Sequence, residues 1–221
     1  EGPQYEFTTV KEVPVTSIKN QYRSGTCWCY SALSFIESEI LREKGVEVDL
    51  SEMFVVGKSY RDRAVKYVRL DGHLNFAAGS SFGDVLHVIE DYGIIPQDVY
   101  SGFNYGTEMP EQNELDAALA GYVRAIAQNP NRKLTTAWLN GFDGILDAYL
   151  GEVPATFTVN GVEYTPESYR DALGFNSDDY VNLTSFTHHP FYESFIIEVP
   201  DNWRWDTAYN LPIDEMMEVM Y

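Results

Sequence analysis

The chain has 221 residues, with 34 acidic against 15 basic side chains and a net charge of −19. That excess argues against nucleic acid or an anionic membrane as partner, because both are gripped through Lys and Arg. At 44% apolar and 22% charged the composition is that of a core-forming globular protein, and no run of about 18 apolar residues offers a membrane span.

Residues 1–20 read as extended, with Phe7, Val10, Val13 and Val15 around Pro14, an opening suited to a sheet edge. A helix is predicted from Cys27 to Lys44, stopped by Gly45. Its apolar stripe is Cys29, Leu33, Ile36 and Ile40, and Glu37, Glu39, Arg42 and Glu43 are assigned to the outer face. A second helix starts near Asp49-Leu50-Ser51-Glu52, with Asp49 or Ser51 as cap. A third runs from Ser81 or Phe82 to Gly93. Residues 107–151 read as two helices, roughly 111–128 and 134–150, broken at Asn129-Pro130-Asn131. Asn160-Gly161 between two short apolar runs predicts a hairpin. Pro166 opens a short helix ending near Gly174, and Tyr180–Phe186 and Phe195–Val199 read as strands. The last segment, from Pro212, carries Ile213, Met216, Met217 and Met220 at helical spacing. This stripe breaks off at full strength, so the protein is expected to continue past Tyr221 or to be completed by another chain.

The segment that carries chemistry is Gln21-Tyr22-Arg23-Ser24-Gly25-Thr26-Cys27-Trp28. A thiol attacks carbonyl carbon as the thiolate, and Cys27 sits where a helix begins, at the end whose dipole and free N–H groups favour an anion. The oxyanion formed by attack needs donors already in place; the Cys27 N–H and the Gln21 amide could supply two. Gly25 would allow a tight turn ahead of the nucleophile. The competing reading of a lone cysteine is a small buried hydrophobe, and that is how Cys29, on the core stripe, is read. The Cys27-Trp28-Cys29 spacing suits neither a metal knuckle nor an unstrained disulfide. No cofactor or metal is expected, and the cysteines leave the compartment open. A Tyr-rich, acidic chain beginning at Glu1 is compatible with an exported mature protein, a cytoplasmic one being the alternative.

This segment resembles the nucleophile region of papain-like cysteine peptidases. Leu50-Ser51-Glu52 is similar to the start of that family's next helix. Gly79-Ser80-Ser81-Phe82, followed by Val88-Ile89-Glu90-Asp91-Tyr92-Gly93-Ile94-Ile95-Pro96, narrows the likeness to the bleomycin hydrolase and aminopeptidase C branch. Tyr209-Asn210 with Pro212-Ile213-Asp214 resembles a later segment of the same branch. The resemblance implies an α+β papain-like fold with a helical insertion, represented here mainly by its N-terminal, nucleophile-bearing half. Residues 1–105 would form the helical lobe and 106–180 the insertion with its hairpin. Residues 181–221 would lead by strands and a helix start into a second lobe. It makes Cys27 the nucleophile and Gln21 the oxyanion-hole side chain. Gly79, Ser80 and Ser81 would border the substrate, with Trp28 screening the catalytic pair beside them. Ser80-Ser81 stands where the branch commonly has Gly-Gln, a departure that would alter the pocket for the substrate's second residue.

The mechanism also needs a His and an orienting Asn. His73 and His87 fall in the helical half, and His87 is read as structural. His188-His189 with Asn202-Trp203 mimics the family's late elements only loosely. The small residues that follow the family's His are missing, and Pro190 stands after His189. Both partners are therefore placed beyond Tyr221 or on a companion chain, and His188 and His189 are read as a polar turn or part of a substrate channel. The resemblance further implies a peptide substrate and a homo-oligomer. The acidic surface would steer basic or neutral peptides. The alternatives are a non-catalytic papain-like peptide-binding or scaffold protein, and an aromatic module using Trp138, Trp203 and Trp205.

Overall fold

The computed structural model describes residues 5–131 and 133–220; residues 1–4, Arg132 and the terminal Tyr221 lie outside the described residues. It is a mixed α+β chain. Five helices come first: α1 (Cys27–Lys44), α2 (Glu52–Arg69), α3 (Phe82–Tyr92), α4 (Asn113–Ala127) and α5 (Ala137–Leu150). Then follow the hairpin β1 (Phe157–Val159) and β2 (Val162–Tyr164), α6 (Pro166–Leu173), and the short strands β3 (Leu183–Thr184), β4 (Ser194–Ile196) and β5 (Thr207–Asn210). The last element is α7 (Ile213–Met220).

The helical stripes meet in one hydrophobic cluster. Cys29, Leu33 and Ile36 of α1, Met53, Val56 and Ala64 of α2, and Val85, Val88 and Ile89 of α3 are all buried in it. Leu115, Leu119 and Val123 of α4 and Phe142 and Leu146 of α5 join the same cluster. Each Val, Leu, Ile, Met or Phe among them contributes about 1.5–3 kcal/mol by leaving water. Ser51, not Asp49, caps α2, its Oγ accepting from Phe54 N at 3.1 Å. Gly93 ends α3 at φ +76°, and a Cβ there would stand 2.1 Å from the Pro166 carbonyl carbon, so only glycine lets α6 begin against α3. Asn160 and Gly161 both have positive φ, as the two-residue hairpin turn requires.

Several expectations are corrected. Glu37 is not on the outer face of α1 but fully buried. Its carboxylate accepts from Lys19 Nζ at 2.7 Å, Thr16 Oγ1 at 3.0 Å and Leu50 N at 2.8 Å. Lys19 also meets Asp49 at 2.7 Å and Glu52 at 2.9 Å. Burial opposes its charge, yet the carboxylates outweigh that and raise its pKa. The described part of the N-terminal segment forms no strand; its order comes from this buried cluster, while Phe7, Val10 and Ile18 stay exposed.

The two strands expected after residue 180 shrink, because their backbone groups bond elsewhere. Asn210 accepts from Phe186 N at 2.8 Å and donates to Phe186 O at 2.9 Å, curling the chain away after Thr184. Val199 N turns back onto Ile197 O. The element absent from the sequence reading is β5. It lies between the other two, parallel to β3 (Leu183 opposite Tyr209) and antiparallel to β4 (Phe195 opposite Ala208).

Candidate active site

Cys27 is the first residue of α1 and its thiol is exposed. No acidic side chain sits in the first turn of α1, so nothing anionic competes for its positive end. Thr26 precedes it but does not cap the helix; its hydroxyl is 2.6 Å from Ser24 Oγ. Gln21 is half-buried in the same loop. Ser24 N donates to Gln21 O at 3.2 Å, and Gln21 Nε2 donates to Ser24 O at 2.9 Å. Arg23 N bonds Pro110 O at 3.1 Å, which straps this loop to the segment before α4. The chain bends at Gly25, and the residue also serves a second end. It has no left-handed φ, but a Cβ there would lie 2.7 Å from Ala78 Cβ. Glycine is what allows the loop that holds Gln21 and Cys27 to touch the 77–81 segment.

That segment is held from beneath. Arg63, in α2, is 2% exposed. Its guanidinium donates to the carbonyls of Asn75 at 2.7 Å, Ala77 at 2.8 Å and Gly79 at 2.5 Å. Burial lowers its pKa from the ordinary guanidinium value. Trp28, buried in α1, donates from Nε1 to Ala78 O at 3.0 Å. Cys27, the Gln21 loop and Gly79-Ser80 are therefore joined through Gly25, Trp28 and Arg63. Sequence reasoning missed Arg63. Its signal was available, since it falls in register with Val56, Ser59, Tyr60 and Tyr67 on the buried stripe of α2, where a cation must find acceptors.

Ser80 and Ser81 fasten the far end. Ser81 and Asp84 form a capping box on α3, and Ser80 Oγ donates to Asp84 while accepting from Trp203 Nε1 at 2.8 Å. Asp84 also receives Arg204 Nε at 2.5 Å, and Arg204 Nη2 reaches Asp62 at 2.7 Å. The 203–204 loop is thereby bolted to both α2 and α3.

Among the described residues no histidine hydrogen-bonds Cys27. His87 is not simply a packed side chain: it is half-exposed and its Nε2 pairs with Asp206 Oδ1 at 3.0 Å. That hydrogen bond raises its pKa. His188 and His189 lie against each other, with His189 stacked on Phe195 at 3.8 Å between centroids. The Asn202 amide is spent within its own loop, on Ile197 O and Asp206 O, and accepts from Asp206 N. Of the three tryptophans of the aromatic-module alternative, Trp138 is partly buried, Trp203 is buried and Trp205 is exposed beneath Lys66, whose Nζ is 3.6 Å from the ring centroid. No group of three or more His, Cys, Asp or Glu among the described residues could hold a metal, and no helix there is long and apolar enough to cross a membrane.

Residues 3–64 match the family described as papain family cysteine protease. The chain is a relative of the papain-family cysteine peptidases. The match spans the Gln21–Cys27 loop, α1 and the part of α2 that holds Arg63. Aminopeptidase G of Lactobacillus delbrueckii subsp. lactis is 24% identical over 234 residues, covering 86% of this chain and 52% of that protein. The mitochondrial cysteine proteinase 1 of Saccharomyces cerevisiae is 26% identical over 118 residues, 46% of this chain and 24% of the yeast protein. Human cathepsin L2 is 35% identical over 72 residues, 28% of this chain and 22% of its own. The chain thus spans about half the length of the first of these relatives and less of the others.

Proposed function

We propose that this chain is the nucleophile-bearing part of a cysteine aminopeptidase of the bleomycin hydrolase type. Residues 1–105 would be the helical lobe of a papain-like fold, 106–180 an insertion and 181–221 the passage into the second lobe. The observation that carries the reading is the exposed Cys27 thiol at the uncontested N-terminus of α1, with the Gln21 amide in the same loop. The name of aminopeptidase G supports peptide N-termini as the site of attack.

In this reading Cys27 Sγ attacks the scissile carbonyl carbon, and the oxyanion is met by the Cys27 N–H and by the Gln21 amide, released from Ser24 O. The C–N bond breaks as the leaving amine takes a proton, leaving a thioester on Cys27 that water hydrolyses. The peptide backbone lies along Gly79-Ser80, whose carbonyl trace Arg63 and Trp28 hold. The His that moves the proton, and the Asn that orients it, come from beyond Tyr221 or from a companion chain. The exposed apolar stripe of α7 is a surface on which such a partner would pack.

The test is turnover of aminoacyl fluorogenic substrates by the full-length protein. Cys27→Ala abolishes it, Cys29→Ala does not, and Gln21→Ala lowers kcat about 10²–10³-fold without loss of folding. Activity that survives Cys27→Ala would sink the assignment. Peptide binding with no turnover in the intact protein would favour the non-catalytic papain-like scaffold.

A further inference from the structure

Beside the Gly79-Ser80 segment lies a cavity of about 280 Å³. Ser80 and Ser81 form its near wall, Leu183, Ile197 and Val199 supply an apolar lining, and Asp201 and Asp206 both border it. Asp201 is exposed and makes no salt bridge or side-chain hydrogen bond among the described residues. Arg63 feels its charge, but the Nε and Nη1 of that side chain serve three carbonyls and its buried Nη2 forms no salt bridge with Asp201 among the described residues. The Asp201 carboxylate overhangs the segment so closely that a Cβ on Gly79 would stand 2.7 Å from Oδ1. Asp206 uses Oδ1 on His87, while its Oδ2 is buried and has no hydrogen-bond partner among the described residues. That oxygen abuts Gly83, where a Cβ would stand 2.6 Å from it.

A carboxylate with a buried oxygen that has no donor, and a second carboxylate with no salt bridge, border a cavity whose other side chains are apolar at Phe82, Leu183, Ile197, Val199 and Ala208 and neutral polar at Asn182, Asn202 and Thr207. Such a pocket suits an alkyl chain ending in an ammonium group. We infer that this cavity selects the peptide residue lying past Gly79-Ser80 by its positive charge, with Asp201 as the specificity-determining residue. This rests on the peptidase reading, which lays substrate along that segment. The ammonium could belong to a lysine side chain or to the free amino terminus of a short peptide; the chemistry is the same. The net charge of −19 works in the same direction by drawing cationic peptides to the surface.

The test uses full-length Cys27→Ala protein, so that binding is read without chemistry. Three dipeptide amides are compared by calorimetry: acetyl-lysyl-alanine amide, norleucyl-alanine amide with a free amine, and acetyl-norleucyl-alanine amide. At least one cationic peptide binds about tenfold tighter than the doubly neutral one, and whichever does so identifies the source of the charge. Asp201→Asn, on an exposed loop, removes the preference and leaves the neutral peptide's affinity unchanged. Equal binding of all three, no binding of any, or a preference that survives Asp201→Asn overturns the inference. Labelling of Cys27 in the unsubstituted protein is scored separately. A charge preference with an inert Cys27 would leave the cavity assigned and the peptidase reading refuted.

Discussion

At the scale of single residues, charges are the least free of the side chains that matter here. Lys19 cannot lose its ammonium without stranding Glu37 and Glu52, both buried. His87 is a milder case that can be titrated. Its hydrogen bond to Asp206 raises its pKa above the ordinary imidazole value of 6.5, partly opposed by burial. The protonated pair therefore stabilises the fold fully below the unfolded-state pKa, and that contribution is lost as pH rises through the folded-state pKa. An NMR titration of His87 should show its midpoint falling in Asp206→Asn; an unmoved midpoint would contradict the pairing. Cys27 and Gln21 could be proposed from sequence because six-residue spacing, a following Trp and a helix start are all local. It could not show that His87 meets Asp206, 119 residues away. Nor could it show that Glu37, polar and one place off the apolar stripe, is taken inside by Lys19 and the Leu50 N–H.

The helices and the Asn160-Gly161 hairpin were legible, the later strands only in part. The stripes of α1, α2 and α3 repeat over three turns or more, and their ends carry caps that sequence shows directly: Gly45, Ser51, Gly93. Strands β3, β4 and β5 run for two to four residues, too short for alternation to speak. β5 contains Ala208 and Asn210, poor strand formers, and exists because β3 and β4 flank it. The element with most bearing on the site is α2, through Arg63. Arg63→Met keeps the stem in the core but withdraws the donors of three carbonyls. It should cost about 2–4 kcal/mol, read as a lower denaturation midpoint at unchanged m-value. A loss under about 0.5 kcal/mol would mean that the 75–79 segment holds its shape without the guanidinium.

At the scale of the whole molecule, two surfaces stand out for what they leave uncovered. The N-terminal segment shows Phe7 and Ile18 almost wholly to solvent, and α7 exposes Ile213, Met217 and Met220 by more than half. No residue of α7 is buried, although its apolar residues form one stripe. If that stripe packs against the second lobe proposed above, Met217→Ser or Met220→Ser in the full-length protein costs about 2–4 kcal/mol of stability. Substitutions without effect would show the stripe solvated. The central claim remains the chemistry of Cys27, and a peptidyl epoxide mixed with the full-length protein tests it most directly. The modified residue is mapped by mass spectrometry and the rate followed from pH 4 to 9. The account predicts fast modification confined to Cys27 and already present at mildly acidic pH, where an unassisted thiol is protonated. Slow modification that rises only toward alkaline pH, or modification at Cys29 instead, would contradict it.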